Sequence, residues 1–219
     1  MRSGLCQEGN RIDFFEKAAH YYDLLLDILT FGMYAQFLRR AVKILDPKKG
    51  EKILDLCSGT GRTVSWIAEA VGKDGEAVGM DLSKRMIGVA VHRYSRLSAV
   101  SFIRKDVTEP WDYQDHFDGI FTSFSLHELP EAERFGVLMR SYSALKDTGR
   151  MVMADFNPKG SGWGKTILNI FFKLFERENL SFFSMDQEEM LRQAGFKTIR
   201  TFLILNGLFQ VTLAHRDLN

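Results

Sequence analysis

The segment Lys52–Thr63, KILDLCSGTGRT, constrains this chain more than any other stretch. Ile53-Leu54-Asp55-Leu56 reads as a short buried strand. Ser58, Gly59, Thr60 and Gly61 break it, and a helical pattern starts at Thr63. Glycines let the backbone approach a ligand closely, and the unpaired N–H groups at a helix start point at it. Asp55 falls at the carboxyl end of the strand, where open α/β sheets bind ligands. A negative mouth suits a cationic or hydroxyl-rich ligand better than a pyrophosphate.

From this motif onward strands and helices alternate. The pattern predicts strands over Lys52–Leu56, Ala77–Met80, Val100–Arg104, Phe117–Thr122 and Arg150–Asp155. Helices are expected over Thr63–Val71, Lys84–Ser95 and Glu131–Leu145. Asp106–Gln114 reads as a loop with a short turn of helix, and Lys146–Gly149 as a turn. Such alternation argues for an α/β fold, a mostly parallel sheet with helices on both faces. Short, nearly all-apolar strands agree with cover on both sides.

The tail differs. A helix over Asp186–Ala194 is stopped by Gly195. Thr198–Leu205 and Phe209–His215 follow as strands joined by Asn206-Gly207, a strong hairpin signal. The sheet is therefore expected to end in an antiparallel hairpin. Ahead of it, Arg11–Leu45 reads as two or more helices broken near Thr30-Phe31-Gly32. The expected organisation is an N-terminal helical cap over 1–46 and a ligand-binding domain over 47–219, with a helical insertion at 157–183. The middle of that insertion, Thr166–Phe175, is densely apolar.

Composition narrows the class. Charged residues make up 26% and the formal net charge is +1, so no global field recruits nucleic acid. The two cysteines, Cys6 and Cys57, form no disulfide framework and read as reduced thiols. No apolar run reaches signal-peptide or membrane-spanning length, so the expectation is a cytoplasmic protein.

Five features fall at the carboxyl ends of successive predicted strands: Asp55 with Gly59 and Gly61, then Asp81, Asp106, Thr122–Leu126 and Asp155. Asp81 is placed to accept both hydroxyls of a ribose, and Asp106 to take hydrogen bonds from an amino-bearing ring. Either aspartate alone also fits a helix or turn cap. Three carboxylates beside one glycine turn are a concentration of like charge. A ligand with hydroxyls, amines and a positive centre would relieve it.

Here the sequence resembles the class I S-adenosylmethionine-dependent methyltransferases. The matching stretches are LDLCSGTG (Leu54–Gly61), GMDLS (Gly79–Ser83), KDV (Lys105–Val107) and FDGIFTSFSLHEL (Phe117–Leu129). The likeness covers roughly Gly50–Arg216 and implies a Rossmann-like, mostly parallel seven-stranded sheet. It implies S-adenosyl-L-methionine as cofactor and S-adenosyl-L-homocysteine as product. Asp55 and the Cys57, Ser58, Gly59, Gly61 turn would hold its methionine part, and Asp81 the ribose hydroxyls. Asp106 would meet the adenine amino group, with Leu82, Met86 and Val107 around the ring and Ser123 near the methionine end. Cys57 stands where the first glycine of the loop is usual. Phe14–Val42 is most similar to the ubiquinone and menaquinone C-methyltransferases, which carry an arginine-asparagine pair where this chain has His127-Glu128. The ending NGLFQVTLAHR is also similar to methyltransferases of lipid amines.

Methyl transfer from a sulfonium is an in-line displacement, so alignment and water exclusion dominate, worth roughly 7–11 kcal/mol. If the acceptor must first lose a proton, His127 is the candidate base, with Glu128 as its partner or as the base itself. Tyr21 and Tyr22 would cover the cofactor, and Phe124 would offer an aromatic face to the sulfonium or the acceptor. No metal ligand set is assigned. The expected substrate is a small or lipid-like apolar molecule, and monomer and homodimer both stay open. Thr166–Phe175, with Lys159, Lys165, Lys173 and Arg177 around it, would roof that substrate or, as a second reading, lie on a membrane surface. Competing readings are a lipid-amine or other N/O-methyltransferase, a nicotinamide dehydrogenase, a catalytic Cys57, and a cofactor-binding regulator without catalysis.

Overall fold

A computed structural model of the chain describes residues 19–157, 159 and 186–216. The apolar run Thr166–Phe175, most of the 157–183 insertion and residues 11–18 of the first helical stretch lie outside the described residues. Two helices, α1 (Tyr22–Leu29) and α2 (Met33–Leu45), precede β1 (Lys52–Leu56). Then come α3 (Arg62–Val71), β2 (Glu76–Asp81), α4 (Lys84–Tyr94), β3 (Val100–Arg104) and β4 (Phe117–Ser123). A 3₁₀ turn (Leu126–Glu128) leads into α5 (Glu131–Ala144) and β5 (Leu145–Phe156). The order ends with α6 (Gln187–Gln193), β6 (Ile199–Ile204) and β7 (Phe209–His215).

The seven strands lie in the order β3-β2-β1-β4-β5-β7-β6. Pairings β1–β2, β1–β4, β2–β3 and β4–β5 are parallel, while β7 runs antiparallel to both β5 and β6. The chain leaves β1 toward β2 and returns on its other side as β4. This reversal opens a crevice at the carboxyl ends of β1 and β4, the place where such sheets hold ligands.

Side chains alternate between two cores. Leu54, Leu56, Ile120 and Met153 join the layer that includes Val137 of α5 and Leu191 of α6. Ile53, Phe121, Val152 and Val211 join Phe37 and Ala41 of α2 and Val64 and Ile67 of α3. The stretch expected as a cap therefore divides. Helix α2 is a full member of the layer covering the sheet, whereas α1 buries only Asp23.

Two local expectations differ from the structure. Lys146–Gly149 is absorbed into β5, which starts at Leu145 opposite Phe117; the register shifts there and resumes at Arg150 opposite Gly119. The extra residues bulge without ending the strand. Asp106–Gln114 holds a single hydrogen-bonded turn, with the Glu109 N–H on the Asp106 carbonyl at 3.2 Å, and no helix. The Asp106 carboxylate takes the Thr108 N–H at 2.8 Å and its hydroxyl at 2.7 Å, an alternative to helix that short polar side chains offer. The hairpin turn is as expected, with Asn206 and Gly207 at φ 55° and 80°, the signature of a type I′ turn.

Arg150 ties the end of α2 to the sheet. Its guanidinium donates to the carbonyls of Leu45 (2.6 Å), Asp46 (2.9 Å) and Asp118 (3.2 Å), and to both oxygens of Glu51 (3.0 and 2.7 Å). Two of these carbonyls are orphaned by the helix end. Arg150→Met would leave them without a partner and Glu51 with only the Lys48 N–H, and should destabilise the protein by about 2–3 kcal/mol. The midpoint of urea denaturation reads this directly; an unchanged midpoint would show that the tie contributes nothing.

Candidate active site

Asp55 projects from the carboxyl end of β1 and is 2% exposed. The Thr63 hydroxyl, in the first turn of α3, donates to it. Burial pushes its carboxyl up to about 8, the Thr63 bond works against this, and the neighbouring Asp81 charge adds to it. Asp81 accepts the Gly59 N–H at 2.8 Å on one oxygen and the Ser83 N–H at 2.9 Å on the other. Burial raises its carboxyl as well. The cap of α4 is Ser83, whose hydroxyl oxygen accepts the Met86 N–H at 3.1 Å. Asp81 is thus not spent on capping the helix.

The loop between β1 and α3 is held in left-handed backbone at Cys57 (φ 55°), Gly59 (φ 53°) and Gly61 (φ 78°). A Cβ on Gly61 would stand 2.7–2.8 Å from the Phe102 ring and 2.9 Å from Ala90, so packing demands glycine. A Cβ on Gly59 would meet nothing within 4 Å, so this glycine faces open space. The Ser58 hydroxyl is buried without a hydrogen-bond partner. An open glycine face beside an orphaned hydroxyl and two strand-end carboxylates fits a polar, cationic ligand.

Cys57 fills the place of the expected glycine. Its thiol is bonded to Ser125 and pushed well above its ordinary value by burial and by the charges of Asp81, Asp55 and Asp106. A thiol so held stays protonated and is a poor nucleophile, which weighs against a catalytic Cys57. Around the same cleft Val107 and Met86 are buried, Leu82 is exposed, and Asp106 is half-buried.

The other half of the crevice lies at the ends of β4 and β5. Ser123 closes β4, and the Thr122 and Ser125 hydroxyls share a hydrogen bond at 2.6 Å. His127, 2% exposed in the 3₁₀ turn, points Nδ1 at both oxygens of Asp155, at 2.9 and 2.8 Å. Glu128 Oε1 lies 3.5 Å from Nε2. Sequence reading put Asp155 on the rim but gave it no task; 28 residues separate it from His127, and only the adjacency of β4 and β5 joins them. Gln187 lines a crevice with Thr122, Ser125 and Asp155, and its buried amide nitrogen has no partner. No sequence signal pointed to it. Phe124 sits at φ 50° with its ring 5.5 Å from Tyr34, 5.3 Å from Phe37 and 4.9 Å from Phe156.

Helix α1 reaches the cofactor loop through its acids. Asp23 accepts from the Thr60 hydroxyl at 2.7 Å and from Arg93 at 2.6 Å, and Arg62 grips Asp27 with two bonds of 2.9 Å. The signal was present: two aspartates four apart in an otherwise apolar helix share one face. Tyr22 packs against Met86 and Val89 of α4, while Tyr21 is 72% exposed.

Residues 6–184 match the ubiE/COQ5 methyltransferase family. The chain belongs to that family. It is 26% identical over 221 residues to a demethylmenaquinone methyltransferase of Staphylococcus carnosus (strain TM300), covering 93% of this chain and 91% of the relative. With the corresponding protein of Staphylococcus aureus (strain JH9) the identity is 24%, at the same coverage. Among solved structures, a SAM-dependent methyltransferase from Aquifex aeolicus superposes with a TM-score of 0.64 at 19% identity, covering 81% of this chain and 88% of that one. A Haemonchus contortus phosphoethanolamine N-methyltransferase solved with S-adenosylhomocysteine gives a TM-score of 0.62 at 18% identity, covering 84% and 53%. This ubiE/COQ5 family member is an S-adenosylmethionine-dependent methyltransferase, with the mostly parallel seven-stranded sheet that the resemblance implied.

The raised carboxyl of Asp55 has a consequence for stability. The folded chain keeps that proton up to about pH 8, whereas the unfolded chain releases it near the ordinary aspartate value of about 4. Between these values the folded state binds more protons, so stability falls as pH rises. Asp55→Asn should leave the ligand-free protein similar below about pH 4 and make it progressively more stable than wild type from about pH 4 up to about pH 8. Parallel melting curves across that range test it; identical pH slopes would refute a buried Asp55 carboxyl.

Proposed function

We propose that this enzyme methylates a ring carbon of a quinol-type, lipid-like acceptor. The observation that carries this reading is the buried His127–Asp155 pair beside the cofactor cleft. The naming of its relatives as demethylmenaquinone methyltransferases supports the acceptor class.

S-adenosylmethionine, when bound, supplies a methyl group on a sulfonium, which leaves as a neutral thioether. Asp55, Asp81, Asp106 and the Cys57–Gly61 loop bind and orient it, and Gly59 lets it lie against the backbone. On the acceptor side, Asp155 takes the Nδ1–H of His127 and so fixes the lone pair on Nε2. Nε2 accepts the proton of a ring hydroxyl, and the resulting phenolate concentrates electron density on the adjacent ring carbon; once that carbon carries the methyl, its own hydrogen leaves as a proton to restore aromaticity and the imidazolium returns its proton to the ring oxygen. Asp155 and Glu128 stabilise the imidazolium that forms. Burial of His127 keeps water from competing for the same proton. Phe124, with Tyr34 and Phe156 packed around it, presents an aromatic wall to a flat, apolar acceptor.

His127→Ala should lower turnover of a demethylated quinol by about 10²–10⁴-fold while the cofactor Kd stays within about twofold. Asp155→Asn should lower kcat more than it raises KM, since it releases the tautomer rather than the acceptor. Product formation from a methyl-labelled cofactor measures both. Turnover of a lipid amine but of no quinol, or full activity in His127→Ala, would overturn the reading. On the cofactor side, Asp81→Ala should raise the cofactor Kd by about tenfold or more, because an acceptor of two hydroxyls is lost. Titration calorimetry reads that value, and an unchanged Kd would remove Asp81 from the site.

A further inference from the structure

Helix α1 is amphipathic in the inverse sense. Its acids, Asp23 and Asp27, face the protein and are paired with Thr60, Arg93 and Arg62. Its apolar residues face out: Leu24, Leu25, Ile28 and Leu29 are 59, 44, 63 and 56% exposed. Phe31, in the loop to α2, is 93% exposed. Leu24, Leu25, Ile28 and Leu29 form one stripe, since positions three and four apart share a helix face, and Phe31 follows at its end. An ordinary surface helix would bury that stripe and expose its acids. An outward apolar stripe of this size marks an interaction surface.

The flanks name the partner. On one side α2 carries Arg39, Arg40 and Lys43 and no acidic residue. On the other, where Tyr22 and Asp23 of α1 meet it, α4 carries exposed Lys84 and Arg85 and likewise no acidic residue, its Arg93 being taken up by Asp23. This is a local excess in a chain whose formal net charge is only +1. We propose that the outer face of α1, with the basic helices α2 and α4 beside it, docks on a lipid bilayer carrying anionic headgroups. Apolar side chains enter the acyl boundary while lysines and arginines meet the headgroups, the pattern of an interfacial helix. A second copy of the chain is the poorer occupant. Two such faces set together would bring like-charged helices of both copies close, whereas anionic lipid neutralises them. Among the described residues no helix is long and apolar enough to cross a membrane, so the contact is peripheral. The surface differs from Thr166–Phe175, the stretch expected from its sequence to roof the substrate and, only as a second reading, to lie on a membrane. Its reading does not depend on the acceptor, because bilayer binding is measured without turnover.

The test is flotation of the full chain with vesicles of phosphatidylcholine alone and of phosphatidylcholine mixed with phosphatidylglycerol. Binding is expected to the mixed vesicles and to weaken with added salt. Leu25→Glu/Ile28→Glu should weaken it by about tenfold or more, and Arg40→Glu/Lys43→Glu by several-fold. All variants should keep the circular dichroism spectrum and the S-adenosylhomocysteine affinity of wild type. Should the first pair fail to fold, Phe31→Glu replaces it at a solvent-facing position and should also weaken binding. Three results would overturn the proposal: no binding to either vesicle, equal binding by wild type and variants, or a dimer in sedimentation velocity that the α1 substitutions abolish without any vesicle binding.

Discussion

A carboxylate buried where the strand order reverses is the constraint on which the site depends. Asp55 sits between Gly79 of β2 and Phe121 of β4 in the sheet register, and the nearest donor to it is the Thr63 hydroxyl one helix turn into α3. For Thr63 to reach it, the chain must fold back at once, which puts Cys57, Gly59 and Gly61 in left-handed backbone. That turn brings the Gly59 N–H onto Asp81 at 2.8 Å and so joins the ends of β1 and β2 into one cleft. Burying acid there is unfavourable for the empty protein, because desolvation and the Asp81 charge both oppose ionisation. A cationic ligand reverses the sign of that effect: it lowers the same carboxyl and turns the strain of the empty site into affinity.

The inverted helix α1 follows from the same loop. Thr60 and Arg62 flank Gly61 and present a hydroxyl and a guanidinium outward, and Asp23 and Asp27 satisfy both. Once the acids are drawn inward, the apolar side of an eight-residue helix has only one direction left. Anchoring α1 over the cofactor loop and exposing its leucines are therefore one event, not two. Cofactor and lipid would then be engaged on opposite sides of a single short helix, which places an apolar surface next to the site where a lipid-like acceptor is modified.

Most of the sheet was legible in the sequence because each strand and helix carries its own period. β1, β3 and β7 agree with the predicted bounds, and the Asn206-Gly207 turn is decided by backbone preference alone. Errors fall where tertiary contacts outweigh local signals. Lys146–Gly149 looks like a turn, yet pairing with β4 holds it in the strand. Asp106 begins what reads as a helical turn, yet only one turn forms and its side chain captures Thr108 within it. The residues proposed for the cofactor were visible for the same reason as the strands: Asp55, Gly59 and Gly61 lie in one short motif, and Asp81 and Asp106 each follow or end a recognisable strand.

The acceptor side was much less legible, and the cause is geometric. His127 could be singled out by its chemistry, but what makes it a poised base is Asp155, brought to 2.8 Å by the pairing of β4 with β5. The buried Gln187 amide comes from α6, beyond the insertion, and meets Asp155 only around a shared crevice. A site assembled from distant segments can change its chemistry by one substitution in any of them without disturbing a strand, a turn or the cofactor loop. The family is plain from the match over residues 6–184. His127-Glu128 stands where the resemblance leads one to expect arginine-asparagine. A histidine anchored by a buried carboxylate can take a proton that a guanidinium cannot, so this pair allows chemistry that an arginine would not.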